Sequence, residues 1–129
     1  MAELIIFDTS VLVDLRRGLG AASAFTSPLA SSARAAIHPG VSFELYDGVK
    51  SPADILLTQR MITTLRRLAV RDADFTVALS LFTTHQRRAG IGWADCLIAA
   101  TALRLRLPVA TLNDRHFATV PRLKVIRPY

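Results

Sequence analysis

Three of the ten carboxylates in this 129-residue sequence stand where a charged side chain is costly. Asp8 directly follows the apolar run of residues 4–7, Glu44 lies among Phe43, Leu45 and Tyr46, and Asp95 opens a nearly all-apolar stretch. Each has a plainer reading alone. Asp8 suits a turn, Asp95 suits the cap of a helix, and Glu44 suits the wet face of an amphipathic helix. Asp114, after Thr111, Leu112 and Asn113, reads most simply as a turn residue. Together the acids make a different argument. Carboxylates gathered at one edge repel and raise each other's pKa unless a cation joins them. Oxygen ligands suit Mg²⁺ or Mn²⁺, while the single cysteine, Cys96, and the scattered His38, His85 and His116 offer no cluster for zinc. Such a site is suited to phosphodiester hydrolysis, with the cation activating water and stabilising the leaving oxygen.

The rest of the molecule has the opposite sign. Basic residues outnumber acidic ones 16 to 10, giving a formal charge of +6, and 14 of the 16 are arginine. Residues 101–129 alone contribute +5 of that excess. Arginine's planar fork donates two hydrogen bonds to a phosphate, so the expected partner is a polyanion. The alternative is a solvated basic face. One cysteine excludes a disulfide framework and suits a reducing, cytoplasmic setting. The longest early apolar run is too short for a signal core or a membrane span. A 51% apolar composition fits one globular domain over residues 1–129 and leaves enough hydrophobic surface to suggest a partner subunit.

The elements that must position these acids can be read from the same residues. Residues 4–7 predict a strand, and Thr9 and Ser10 open a helix that Gly18 stops. Residues 19–33, small and polar with Pro28, predict a loop or a short irregular helix. Residues 34–38 predict a second strand broken by Pro39-Gly40, with a helix from about Ser42 carrying Glu44. Residues 53–67 have helical periodicity, and residues 68–70 are a candidate third strand. In the helix expected over residues 71–88, Phe75, Leu79 and Phe82 point inward. Trp93 begins a buried helix, as a packing residue at its entry rather than a platform for bases. A strand at 108–112, a polar turn at 113–116 and a last strand at 123–126 complete an α/β sandwich with a mostly parallel central sheet. In such sheets ligands bind at the C-terminal strand ends, where Asp8 falls.

Four blocks carry a family resemblance. Ile5-Ile6-Phe7-Asp8-Thr9-Ser10, Ser42-Phe43-Glu44-Leu45, Ala94-Asp95-Cys96-Leu97-Ile98-Ala99-Ala100 and Ala110-Thr111-Leu112-Asn113-Asp114 resemble, in order and spacing, the PIN domain of VapC-type toxins. The resemblance implies a PIN-like α/β/α fold and a Mg²⁺- or Mn²⁺-dependent endoribonuclease. Such an enzyme is the toxin of a type II toxin–antitoxin pair and usually a homodimer, and its cognate antitoxin covers the active site. Carried over, it makes Asp8, Asp95 and Glu44 the metal site and gives Thr9 or Ser10 a supporting role. The fourth block departs from the pattern. Asn113 holds the most common position of an acid and Asp114 stands beside it, so Asp114 is taken as the fourth catalytic acid and Asn113 as a neutral neighbour. Arg87, Arg88 and Arg115 are expected to bind RNA, within a wider set including Arg104, Arg106 and Arg122 that would contact phosphates or antitoxin acids. The imperfect fourth block motivates a rival reading: a PIN-like module that binds nucleic acid or antitoxin without cutting. A phosphohydrolase acting on DNA or small phosphate esters is the third.

Overall fold

The computed structural model describes residues 3–129, apart from the side chains of Arg88 and Ala89. The strands are β1 (Ile5–Phe7), β2 (Ala35–Ile37), β3 (Arg66–Arg67), β4 (Val109–Ala110) and β5 (Val125–Ile126). The helices are α1 (Thr9–Arg16), α2 (Gly20–Ser31), α3 (Pro39–Asp47), α4 (Pro52–Thr63), α5 (Asp72–Ala89), α6 (Trp93–Leu105) and the short α7 (Asp114–Phe117). All neighbouring strands pair in parallel, in the order β3-β2-β1-β4-β5, so the sheet is wholly parallel. β1, β2 and β4 are buried on both faces, which is why their residues are uniformly apolar.

The strand order creates one special place. From β1 the chain moves outward through β2 to β3, then returns to lay β4 on the other side of β1. The crevice at the C-terminal ends of β1 and β4 is therefore a topological switch point, the usual ligand position in an open parallel sheet. Asp8 leaves β1 there, and Thr111 leaves β4 beside it.

The helices pack as two groups, α1 with α2, α3 and α4, and α5 with α6, with α3 also touching α6. α6 buries an unbroken run from Cys96 to Ala102, as its lack of a polar face requires. Several boundaries differ from the sequence expectation, each for a physical reason. Residues 20–31 form a full helix despite Pro28, held by buried Ala22 and Thr26 and by Phe25, whose ring lies 5.4 Å from Phe7. α3 starts at Pro39 rather than Ser42, because proline suits the first helical turn and the His38 ring caps the Gly40 N–H. The third strand is Arg66–Arg67, not residues 68–70. It is an exposed edge strand that needs charge rather than apolar side chains. Residues 114–117, expected as a turn, close into one helical turn.

The buried stripe of α5 is also displaced by one residue. Phe75 and Leu79 are 57% and 65% exposed, whereas Asp74 and Ala78 are buried and Phe82 is partly so. Asp74 can face inward because Arg104 of α6 reaches it through Nε at 2.7 Å and Nη2 at 3.0 Å. A buried carboxylate with a two-nitrogen partner is tolerated where an isolated one would not be.

Candidate active site

Asp8 is 2% exposed and directly follows the buried strand β1. Its side chain does not cap α1. Oδ2 instead accepts hydrogen bonds from the Thr111 hydroxyl at 2.7 Å and the Ser10 hydroxyl at 3.1 Å. Ser10 Oγ in turn accepts from the Leu112 N–H at 3.0 Å, and Thr111 Oγ1 accepts from the Asn113 N–H at 2.9 Å. Asp8 is thus locked across the switch point by residues from both of its flanking segments. Each of these donors is neutral, so none offsets its charge.

Glu44 comes from α3, where Oε1 accepts from the Thr9 hydroxyl at 3.0 Å. It keeps solvent on one side. Partial burial raises its pKa, the hydrogen bond from Thr9 opposes this, and the charge of Asp8 adds to the rise. Asp95 stands in the first turn of α6, where the helix dipole favours an anion, yet no side chain caps that helix. Burial, then the charges of Asp8 and Glu44, push its carboxyl up to about 7. Burial, followed by Asp95, likewise pushes the neighbouring Cys96 thiol up to about 11, so it is an inert core group.

The structure therefore brings Asp8, Glu44 and Asp95 within electrostatic reach of one another from three separate elements. All of the side-chain donors to Asp8 and Glu44 are hydroxyls. Among the described residues, no three His, Cys, Asp or Glu side chains close around a point tightly enough to hold an ion unaided. An oxygen-only set of this kind suits a hard cation that keeps part of its water shell, as Mg²⁺ does.

The other expected site residues fall in different places. Asp114 accepts a hydrogen bond from Arg127 Nη1 at 2.8 Å, which also holds the Leu112 carbonyl. That bond lowers the Asp114 carboxyl, and Asp114 is not among the charges acting on Asp95. Asn113 joins the Asp8 network through its backbone. Arg87 and Arg115 are exposed, the Arg88 side chain lies outside the described residues, and Arg104 is committed to Asp74. Trp93, expected to pack at the entry of α6, is 70% exposed.

Sequence reasoning passed over two features. One is Thr111, whose signal was a hydroxyl at the end of a strand that lies beside β1. The other is a buried chain linking the helices that carry the acids. His38 Nδ1 accepts from the Gly40 N–H at 3.0 Å, so Nε2 carries the proton toward Thr101 Oγ1 at 3.2 Å. Thr101 donates to Asp74 Oδ2 at 3.0 Å. Burial, against the opposing charge of Asp74, lowers His38 to about 4 and keeps it neutral.

Comparison with known proteins agrees with this architecture. The PIN domain family model matches residues 5–123. A Rickettsia bellii protein named Ribonuclease VapC is 30% identical over 131 residues, covering 95% of this chain and 94% of its own. A toxin–antitoxin complex from Klebsiella pneumoniae superposes with a TM-score of 0.75 at 25% identity, covering 97% of this chain and 98% of the other. The DNA-bound VapBC structure from Salmonella typhimurium superposes with a TM-score of 0.81 at 21% identity over 99% and 100% of the two chains. With its wholly parallel sheet and its acids gathered at the switch point, this chain belongs to the PIN-domain family, in its VapC branch.

Proposed function

We propose that the protein is a metal-dependent endoribonuclease and the toxin of a toxin–antitoxin pair. The observation that carries this reading is the meeting of Asp8, Glu44 and Asp95 at the switch point of the sheet, where the charges of Asp8 and Glu44 raise Asp95. The name of the Rickettsia relative supports ribonuclease activity, and the Klebsiella and Salmonella complexes support an antitoxin partner. Among the described residues no helix is long and apolar enough to cross a membrane. A homodimer is part of the proposal.

When bound, Mg²⁺ or Mn²⁺ would neutralise the pocket, lower the pKa of water and offset charge on the leaving oxygen. Asp8 and Asp95 would hold the cation. Asp8 is fixed by the Ser10 and Thr111 hydroxyls, while Asp95 would be relieved of the penalty that now raises its pKa. Glu44, solvent-accessible and steadied by Thr9, would orient the attacking water and accept its proton. The water oxygen would then bond to phosphorus as the bond to the ester oxygen breaks, and the leaving oxygen would take a proton from solvent. The exposed arginines would hold flanking phosphates.

The engagement of Asp114 by Arg127 favours one rival, a domain that binds RNA or antitoxin without turnover. Cleavage of RNA by the purified protein under titration with Mg²⁺ or Mn²⁺, with EDTA as control, decides between them. Metal-dependent turnover supports the nuclease, and binding without turnover supports the module. A DNA substrate in the same assay tests the phosphohydrolase reading.

A further inference from the structure

Glu44 and Asp95 form part of the wall of a groove of about 1010 Å³. Three large rings line it as well, and all are exposed: Phe43 at 79%, Trp93 at 70% and Phe75 at 57%. Phe43 adjoins Glu44 on α3, Trp93 stands two residues before Asp95 on α6, and Phe75 comes from α5, which packs on α6. The lining contains no lysine or arginine. Its carboxylates are Glu44, Asp47 and Asp95.

This lining narrows what can occupy the groove. A strand cut at Glu44 and Asp95 would lay the nucleotides on one side of the break over these walls, because both acids belong to them. The walls repel phosphate and also repel an acidic peptide. What they offer a nucleic acid is aromatic faces, on which any base can stack. In a duplex those base faces are covered by their neighbours, so only unpaired bases can use the rings. Resting on the ribonuclease reading above, we infer that Phe43, Phe75 and Trp93 form a stacking platform for the unpaired RNA bases that flank the scissile phosphodiester.

Trp93 is the only tryptophan in the chain, so intrinsic fluorescence reports directly on this groove. Full-length protein is titrated in EDTA with an unstructured RNA oligonucleotide and, separately, with a duplex of the same sequence. Saturable quenching by the single strand and none by the duplex is expected. Phe43→Ala and Phe75→Ala should each weaken the single-strand affinity about tenfold. Anisotropy of labelled RNA should show a similar loss for Trp93→Ala, with affinity kept in Trp93→Phe. These side chains are exposed, so the variants should retain the fold, and circular dichroism checks this.

RNA binding that leaves Trp93 fluorescence unchanged overturns the inference, as does equal quenching by the duplex. Fluorescence that responds to protein concentration or to a protein partner, but not to RNA, assigns the rings to a protein contact and also overturns it. Metal-dependent cleavage that is lost in Asp95→Asn is read separately. If cleavage is present without quenching, the platform fails and the nuclease stands. Quenching without such cleavage supports the platform as an RNA-binding groove and overturns the nuclease reading.

Discussion

Two carboxylates placed on neighbouring helices, Asp74 on α5 and Asp95 on α6, have opposite fates. Asp74 is 1% exposed, and hydrogen bonds from Arg104 hold it down at about 2. Asp95 is also withdrawn from water, but the charges it meets are Asp8 and Glu44, and it stands at about 7. The first is a closed structural unit whose oxygens are taken up by Arg104, Thr101 and the Arg71 N–H. The second stores an electrostatic penalty that only a proton or a cation relieves. An acid that costs the fold something on its own is a sharper sign of function than an acid that completes a network.

Substitution should separate the two. The largest effect is expected for Asp95→Asn, which should reduce metal-dependent RNA cleavage on the order of 10³-fold. The same change should raise the stability of the metal-free protein at pH 8 by about 2 kcal/mol. The gain stays at about 2 kcal/mol because Asp95 keeps partial contact with water, which screens its charge. Asp74→Asn should do the reverse, costing about 3 kcal/mol because Arg104 loses its anion, while activity per folded molecule is kept. Chemical denaturation and single-turnover cleavage on the same preparations check both. A large loss of stability in Asp95→Asn would show that Asp95, like Asp74, supports the fold.

The dependence of stability on pH separates Asp95 from a second buried group, His38. Asp95 has a raised folded pKa, so it favours folding at low pH, and that contribution is lost as pH rises from about 4 to 7. His38 has a lowered folded pKa of about 4, so its contribution is lost as pH falls from about 6.5 to 4. The two slopes oppose each other over the same range, and the metal-free protein should have a shallow profile there. Denaturant midpoints in EDTA should rise with pH for Asp95→Asn and fall with pH for His38→Gln. The same slope in both variants would contradict the assignment. The smallest effect is expected for Thr111→Val, which removes one donor from Asp8. It should cost about 1 kcal/mol of stability and about tenfold in apparent metal affinity, measured by thermal shift against Mn²⁺.

The order of strands and helices was largely legible, because β1, β2 and α6 carry continuous apolar runs that admit few alternatives. The acids were legible for a related reason: Asp8 and Asp95 interrupt such runs. What escaped the sequence depended on long-range pairing. Counting only apolar residues placed the inner face of α5 at Phe75 and Leu79, because the value of Asp74 as a core residue rests on Arg104, 30 positions away. α2 lacks a clear amphipathic stripe and contains Pro28, and its helix depends on packing against α1 and Phe7. Thr111 gains its role from the adjacency of β4 and β1, a matter of topology rather than spacing. The pairing of Asp114 with Arg127, 13 residues later, likewise depends on how the chain returns beside α7.

In the proposed reaction Asp8 and Asp95 hold a divalent cation and Glu44 orients the water that attacks RNA. The most direct test is cleavage of one unstructured RNA by wild type and Asp95→Asn, each in Mn²⁺ and in EDTA. Rapid cleavage is expected for wild type in Mn²⁺ alone; Asp95→Asn in Mn²⁺ should be slower on the order of 10³-fold, and neither protein should cut in EDTA. Undiminished cleavage in EDTA, or by folded Asp95→Asn in Mn²⁺, would contradict these roles.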